Sequence, residues 1–293
     1  MEPTVLTREQ WRELEVSHEQ RADAATEAHR ARRSDRVAHP VEDFLFTYYP
    51  FRPALLRRWH PGPGVVLEDA AGLPRAGWRH YRGVGHDVEL DVAGYLASRG
   101  ATVDFVRGLL TATAARPAQL GCFGLHEWAM VYRQTAEEVR HREWPLRLGA
   151  GGTDALVEGM QIRCTHFDAF RFYTPPARSL NLLQPTRETQ VALEQPGCLH
   201  AGMDLYKWAM KLAPAVPGDL VLDCFDHARA IRELDMRASP YDLSALGYEP
   251  VRIETPAGRA EYAAAQRGFA ERGQALRDRL VHAIDALRTP APA

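Results

Sequence analysis

The chain has 293 residues, 45% of them hydrophobic and 25% charged, with a formal net charge of −2. This balance is typical of a globular protein with a large core, and it excludes a strong overall attraction to nucleic acid. No apolar run approaches the length of a membrane span, so we expect a cytoplasmic protein with no membrane partner. The four cysteines have neither the spacing of a disulfide framework nor that of a familiar zinc site, which predicts buried thiols.

The first predicted element is a long polar helix from Thr7 to about Arg33. Thr7 and Gln10 have the spacing of a capping box, in which each side chain accepts a hydrogen bond from the backbone of the other residue. The aromatic segment that follows is interrupted by Pro50 and Pro53. Proline ends a helix, so this segment predicts a helix, a turn and a short second helix.

Residues 79–90 alternate weakly between apolar and polar side chains, which predicts the only strand pair of the chain. Residues 91–115 have apolar side chains at helical spacing, and Gly100 predicts their division into two helices. Residues 121–133 predict an apolar helix. Residues 162–176 leave two alternatives open, because their pattern fits a strand as well as a helix.

Each alternative for residues 162–176 groups different polar side chains. In a strand, His166 and Asp168 would share one face, because side chains alternate between the two faces. In a helix, Asp168 and Arg171 would form an ion pair at positions i and i+3.

Residues 198–211 predict a buried helix, since most of its circumference is apolar. At about 100° per residue, His200, Asp204 and Lys207 form a single stripe on that helix. A base, an acid and an ammonium group in a buried position must be paired with one another, with a ligand or with a metal. A structural ion-pair network is the alternative that this pattern leaves open.

The last third predicts two more helices. Residues 219–234 form the first, in which Asp223 and His227 have an i, i+4 spacing that can bind one metal and define a weaker cluster. Thr255, followed by proline, is typical of a helix start, and that helix continues to about Leu287.

These elements predict a mainly α fold, a single multi-helix domain with little or no sheet. Within it we expect an N-terminal polar arm at 1–36, a helical core at 37–254 and a C-terminal long helix and tail at 255–293, packed as one domain.

Three clusters of histidine and acidic side chains interrupt apolar segments, and we expect them to meet around one interior pocket. They are His126 with Glu127, His166 with Asp168, and the stripe of His200, Asp204 and Lys207. Histidines and carboxylates on facing helices are how helical bundles build iron and manganese sites. The candidate ligands for a divalent metal are His126, His166, His200 and Asp204. The chain has no HExxH motif, so no cofactor is firmly predicted.

The metal-free alternative is hydrolysis of a C–N bond. A carboxylate would stabilise an oxocarbenium-like sugar, and aromatic side chains would hold an extruded base by stacking. The candidate catalytic residues are Asp168, Asp204, His200, His166 and Glu127. The candidate substrate-binding residues are His126, Trp128, Arg163, Arg171, Tyr206, Lys207 and Trp208.

Five segments carry a resemblance to a known family. They read HPVEDFLFTYY, GCFGLHEWAMVYR, IRCTHFDAFRF, EQPGCLHAGMDLYKWA and LDMRASPYDL. The chain resembles, from about Glu42 to Tyr262, an actinobacterial family usually labelled 3-methyladenine DNA glycosylase. The resemblance implies a DNA-repair N-glycosylase, a hydrolase that cleaves the N-glycosidic bond of alkylated purines such as 3-methyladenine. It implies no site residue, so the candidates above come from the residue pattern alone.

We therefore expect the partner to be DNA with a damaged base, or a nucleotide-like small molecule. The first alternative is a metal-dependent enzyme that acts on a small molecule or nucleotide through its histidine and carboxylate clusters. The second is a non-catalytic module that binds a nucleotide or a protein.

Overall fold

The computed structural model describes residues 3–135, 137–139 and 141–288. Helices hold 56% of the described residues and strands 6%. The predicted mainly α fold with little sheet is therefore confirmed. None of the helices in these ranges is long and apolar enough to cross a membrane.

The described residues divide into two compact units. Unit 1 contains residues 3–111, 205–226 and 275–288, and unit 2 contains the described residues of 112–204 and 227–274. The predicted division into an arm, a core and a C-terminal helix stays a prediction. Residues 1–2 of that arm and the tail from 289 to 293 lie outside the described residues.

Unit 1 begins with strand β1 (Thr4–Leu6) and helix α1 (Arg8–Ser34). The predicted capping box is confirmed: the backbone N–H of Gln10 donates to Thr7 Oγ1, and that of Thr7 donates to Gln10 Oε1. The aromatic segment forms two short helices, α2 (Phe44–Tyr48) and α3 (Pro53–Leu56), as its prolines predict.

The sheet of unit 1 has four short strands in the order β1, β2, β4, β3. Strands β3 (Tyr81–Val84) and β4 (Asp87–Leu90) form the predicted antiparallel pair. Strand β2 (Val65–Leu67) pairs with β4 and, in parallel, with β1. Strands of three residues are too short to show an alternating pattern, so β1 and β2 were not predicted.

Helix α4 (Val92–Ala114) is continuous, so the predicted division at Gly100 is wrong. A glycine inside a helix costs only about 1 kcal/mol relative to alanine, which a helix of this length tolerates.

Residues 121–133 were predicted to be one helix, and this is wrong. Only α5 (Leu125–Ala129) is helical. The backbone before it is left-handed at Phe123 (φ 47°) and Gly124 (φ 70°), and it is left-handed again after it at Arg133 (φ 55°). Left-handed residues interrupt a right-handed helix, so this segment is a short turn of helix between two bends.

Next come α6 (Gly149–Gly159), α7 (Phe167–Phe170), α8 (Pro175–Arg178) and α9 (Gln190–Leu193). Residues 162–176 therefore follow the helical alternative at α7. The strand alternative survives only as a single bridge between Ile162 and Asn181.

Three longer helices complete the chain and confirm the predicted ones: α10 (Leu199–Leu212), α11 (Gly218–Arg237) and α12 (Pro256–Ala286). Thr255 caps α12, since the backbone N–H of Gly258 donates to its hydroxyl oxygen over 3.0 Å.

Candidate metal centre

A first group of ligand atoms in unit 2 joins His126, His200 and Asp235. One ligand atom from each residue lies within 4.8 Å of the ligand atoms of the other two. His126 Nε2 is 3.1 Å from Asp235 Oδ2, and the rings of His126 and His200 stand edge to face with their centroids 4.4 Å apart. All three side chains are buried.

Each of these three side chains lies near one end of its helix. His126 is the second residue of α5, whose position is set by the left-handed bend at Phe123 and Gly124. His200 lies in the first turn of α10, and Asp235 lies in the last turn of α11.

A second group joins His166, Glu194 and Asp204. His166 Nε2 lies 3.3 Å from Glu194 Oε1 and 3.3 Å from Asp204 Oδ2. These residues are at most 2% exposed. His166 immediately precedes α7, and Glu194 immediately follows α9.

The two groups adjoin each other, because α10 contributes one residue to each. His200 and Asp204 are one helical turn apart. The ring centroid of His200 lies 5.4 Å from that of His166, in addition to its contact with His126. The histidines thus form a chain of three rings with His200 in the middle.

Two further charged side chains border the first group. Arg232 Nη1 donates to Glu127 Oε1 over 2.9 Å and lies 3.7 Å from Asp235 Oδ2. Glu127 Oε1 is 4.0 Å from His126 Nε2. We call the two groups, together with Glu127 and Arg232, the candidate metal centre. It contains four buried carboxyl groups, on Glu127, Glu194, Asp204 and Asp235.

Protonation differs sharply within the first group. Burial alone would lower the pKa of His126, but the charge and hydrogen bond of Asp235 raise it well above its ordinary value. Burial alone would raise the pKa of Asp235, but His126 holds that pKa at about 2. Burial and the charge of His126 lower the pKa of His200 well below its ordinary value. In the absence of a cation, the group is thus an ion pair beside a neutral imidazole.

The donor set suits a hard or borderline divalent ion. Asp235 Oδ1 is buried, and among the described residues it has no hydrogen-bond partner, which is costly for a carboxylate oxygen. Imidazole nitrogens and carboxylate oxygens are the ligands that iron and manganese take in helical proteins. The nearby thiols are less suited to bind, since burial raises the pKa of Cys164 to about 12 and also raises that of Cys198. These buried clusters could hold a metal ion.

The four ligands that the sequence predicts for a metal all lie in these two groups: His126 and His200 in the first, His166 and Asp204 in the second. The predicted catalytic residue Glu127 borders the first group. Asp168 belongs to neither group, and it instead binds Arg171 over 3.1 Å at the i, i+3 spacing of the helical alternative.

The sequence did not point to Glu194 or Asp235. The predicted helix ended at Leu234, one residue before Asp235, although an acid between Leu234 and Met236 in a helix is itself a signal of a buried charge. Glu194 lies between the predicted elements at 162–176 and 198–211, and no local pattern marks it.

Of the predicted binding residues in unit 2, Trp128 is a core side chain. Its indole N–H donates to the carbonyl of Ala238, and the guanidinium of Arg147 packs 5.3 Å from its ring centroid. Arg163 and Arg171 are exposed.

The other predicted binding residues lie in unit 1. Tyr206 packs edge to face against Tyr49, Phe51 and Phe225. The ammonium of Lys207 lies 4.5 Å from the ring centroid of Trp208. These aromatic side chains are therefore part of the core of that unit.

The weaker predicted cluster of Asp223 and His227 is not among the two groups. Asp223 binds Arg21 and Arg279 on the surface of unit 1. His227 is buried in unit 2 with its ring edge to face against Phe269.

Unit 1 also contains an open cleft of about 1210 Å³, and no predicted site residue lines it. The charged side chains of its wall include the ion pairs of Arg82 with Glu89 and of Arg279 with Asp219.

No protein-family model matches the chain, and comparison with curated proteins and with solved structures also finds no match.

Proposed function

We propose that this chain is a metal-dependent enzyme that acts on a small molecule, and that it binds two divalent ions in unit 2. The observation that carries the proposal is the adjacency of the two groups, His126–His200–Asp235 and His166–Glu194–Asp204. An ion in the first group and an ion in the second would then lie on either side of His200, whose ring contacts both His126 and His166.

The charge of the centre supports two ions. Four buried carboxyl groups are costly in a low-dielectric interior unless cations balance them. Arg232 lies against Glu127 and Asp235 and offsets one charge. Divalent ions would displace the proton from His126 and leave three neutral imidazoles and the carboxylates as ligands, which is the protonation that metal binding requires.

Iron or manganese fits this donor set better than structural zinc, which favours sites rich in thiolate. A bound ion would act as a Lewis acid that polarises an oxygen ligand. The residues of the chain position such a ligand and exclude bulk water. The residues of both groups are more than 90% buried. The substrate must therefore be a small molecule, or only a narrow part of it can reach the ions.

The test is elemental analysis of protein purified without a histidine tag and reconstituted with Fe²⁺ or Mn²⁺. We expect about two ions per chain in the wild type. Asp235→Asn should empty the first group and Glu194→Gln the second, each lowering the content by about one ion. His227→Gln is the matched control, because it removes a buried histidine of the same unit that belongs to neither group. A wild-type protein that stays free of metal after reconstitution would refute the proposal and leave a structural ion-pair network.

The resemblance to 3-methyladenine DNA glycosylases favours a second candidate function, N-glycosidic bond hydrolysis. Of the three carboxylates predicted for it, Asp204 and Glu127 are buried, whereas the Asp168 side chain is 24% exposed and held by Arg171. Asp168 is thus the carboxylate that an extruded base could reach. Incubation with duplex and single-stranded DNA bearing alkylated purines tests this function. Abasic product that is lost in Asp168→Asn would support it, and the absence of both product and DNA affinity would exclude it.

A further inference from the structure

We propose that Tyr262 belongs to the metal centre and that its hydroxyl donates a hydrogen bond to an oxygen or nitrogen ligand carried by the ion of the first group. This inference rests on the proposed metal centre and adds to it the group that recognises the exogenous ligand. It is carried by the position and the hydrogen bonding of the Tyr262 hydroxyl.

The hydroxyl of Tyr262 is buried and has no hydrogen-bond partner among the described residues. A buried donor without an acceptor lowers the stability of a fold, so such a group calls for a ligand or a solvent molecule as its acceptor. A phenylalanine would fill the same space at a lower cost.

The backbone of the ligand-bearing turn passes directly beside this hydroxyl. A Cβ atom on Gly124 would stand 3.6 Å from Tyr262 Oη and 3.5 Å from its ring. Gly124 is the N-cap of α5, the helix that carries His126 and Glu127. Phe123 packs edge to face against the Tyr262 ring, with centroids 6.3 Å apart, and fixes its direction.

The carboxylate of Asp235 acts on Tyr262: burial raises the pKa of Tyr262 well above its ordinary value, and Asp235 raises it further. The phenol O–H is a hydrogen-bond donor that suits an anionic ligand.

Tyr173 provides a matched control in the same unit. Its hydroxyl is also buried, and the thiol of Cys164 is its hydrogen-bonding neighbour. Burial raises its pKa too, but the next contributions come from the thiols of Cys164 and Cys122 rather than from carboxylates of the first group. Tyr173→Phe therefore removes the same atom from a similar environment away from Asp235.

The experiment compares wild type, Tyr262→Phe and Tyr173→Phe after loading with Co²⁺, whose visible absorption reports its ligands. Azide is titrated into each protein as the exogenous ligand. We expect all three to take up equal cobalt, and we expect Tyr262→Phe alone to bind azide about tenfold more weakly, since a hydrogen bond to a charged acceptor is lost. In the metal-free state, Tyr262→Phe should melt at the same or a higher temperature than the wild type.

The outcomes separate the two proposals. If the wild type takes up no cobalt, the metal centre itself fails and this role of Tyr262 falls with it. If cobalt binds but Tyr262→Phe retains wild-type azide affinity, or if Tyr173→Phe weakens azide equally, only the role of Tyr262 is overturned. A metal-free Tyr262→Phe that melts several degrees lower, or that loses cobalt, would show that the hydroxyl supports the fold or the ligands instead, which also overturns it.

Discussion

Specific hydrogen-bond donors stabilise the ionised form of individual carboxyl groups in this protein, and Asp43 in unit 1 is the clearest example. Arg32 Nη2 donates to Asp43 Oδ1 over 2.6 Å, His29 Nδ1 lies 2.9 Å from the same oxygen, and the backbone N–H of His39 donates to Oδ2 over 2.9 Å. Burial alone would raise the pKa of Asp43, but the hydrogen bonds from Arg32 and His29 outweigh it and hold that pKa below its ordinary value.

We predict that Asp43→Asn lowers the free energy of unfolding by about 1–3 kcal/mol at pH 7, the range for hydrogen bonds to a charged group. Because the pKa of Asp43 is lower in the folded than in the unfolded state, its contribution is complete above the unfolded pKa of about 4 and disappears as the pH falls through the folded pKa. Urea denaturation from pH 7 to pH 3 should show the wild type and the variant converging below about pH 4.

The control is Asp69→Asn, which changes an exposed carboxylate at a left-handed position (φ 53°) that asparagine also tolerates. It should leave the stability within about 0.5 kcal/mol of the wild type. A constant difference between the wild type and Asp43→Asn across the whole pH range would contradict the proposed source of stability.

The sequence identified individual ligands only where an unusual residue interrupted a strong pattern. His200 and Asp204 stand out because the helix around them is apolar, and His126 and His166 stand out for the same reason. Glu194 does not, because a glutamate between two predicted elements is ordinary, and only tertiary packing buries it. The partner of His126 was equally hidden, since Asp235 is 109 residues away along the chain.

At the scale of elements, the position of the candidate ligands depends on the close approach of the backbone at Gly197 to the backbone at Gln119. Gly197 lies in the turn between Glu194, a proposed ligand, and the helix α10 that carries His200 and Asp204. A Cβ atom on Gly197 would stand 2.4 Å from the carbonyl oxygen of Gln119, a separation that real side chains do not adopt. Only glycine allows this crossing, because backbone atoms cannot swing away as a side chain can.

We predict that Gly197→Ala destabilises the protein by about 1–3 kcal/mol or more, the usual cost of overpacking, and weakens metal binding by moving α10 relative to Glu194. Elemental analysis and thermal denaturation of the metal-loaded variant would measure both effects.

The control, Gly151→Ala, lies in α6 of the same unit with nothing within 4 Å of the added Cβ. It should stabilise the helix by up to about 1 kcal/mol and leave the metal content unchanged. Equal effects of the two substitutions would count against this reading of Gly197.

The sequence predicted helices α1, α10, α11 and α12 but not the bounds of the short helix α5, for a physical reason. Helices α1, α10, α11 and α12 have several turns each. The spacing of their apolar residues therefore repeats often enough to predict a helix. Helix α5 has one turn, and the left-handed bend at Phe123 and Gly124 decides its bounds. A bend of this kind leaves no periodic trace in the sequence, so a long helix was predicted in its place.

At the scale of the whole molecule, the proposed ligands come from distant parts of the chain but all belong to unit 2. They lie at α5, before α7, after α9, and on α10 and α11. Ions that bind only the folded arrangement stabilise it by mass action, by about 4 kcal/mol at a free concentration 1,000 times the dissociation constant. The carboxylates and imidazoles that are costly to bury without cations are then the groups that hold these segments together.

We therefore predict that removing the ions with a chelator loosens unit 2 around the centre more than it loosens the sheet of unit 1. Hydrogen exchange followed by mass spectrometry is the measurement, with the protein at neutral pH before and after treatment with EDTA. Protection should fall in peptides covering residues 122–130 and 194–204, while peptides covering the β3–β4 pair should exchange at unchanged rates.

The loss should reverse on adding Mn²⁺ or Fe²⁺, and it should be absent from Asp235→Asn in the peptide around His126, because that variant has already lost the first ion. If EDTA leaves protection in unit 2 unaltered, the buried charges are held by one another alone and the ions contribute nothing to this fold.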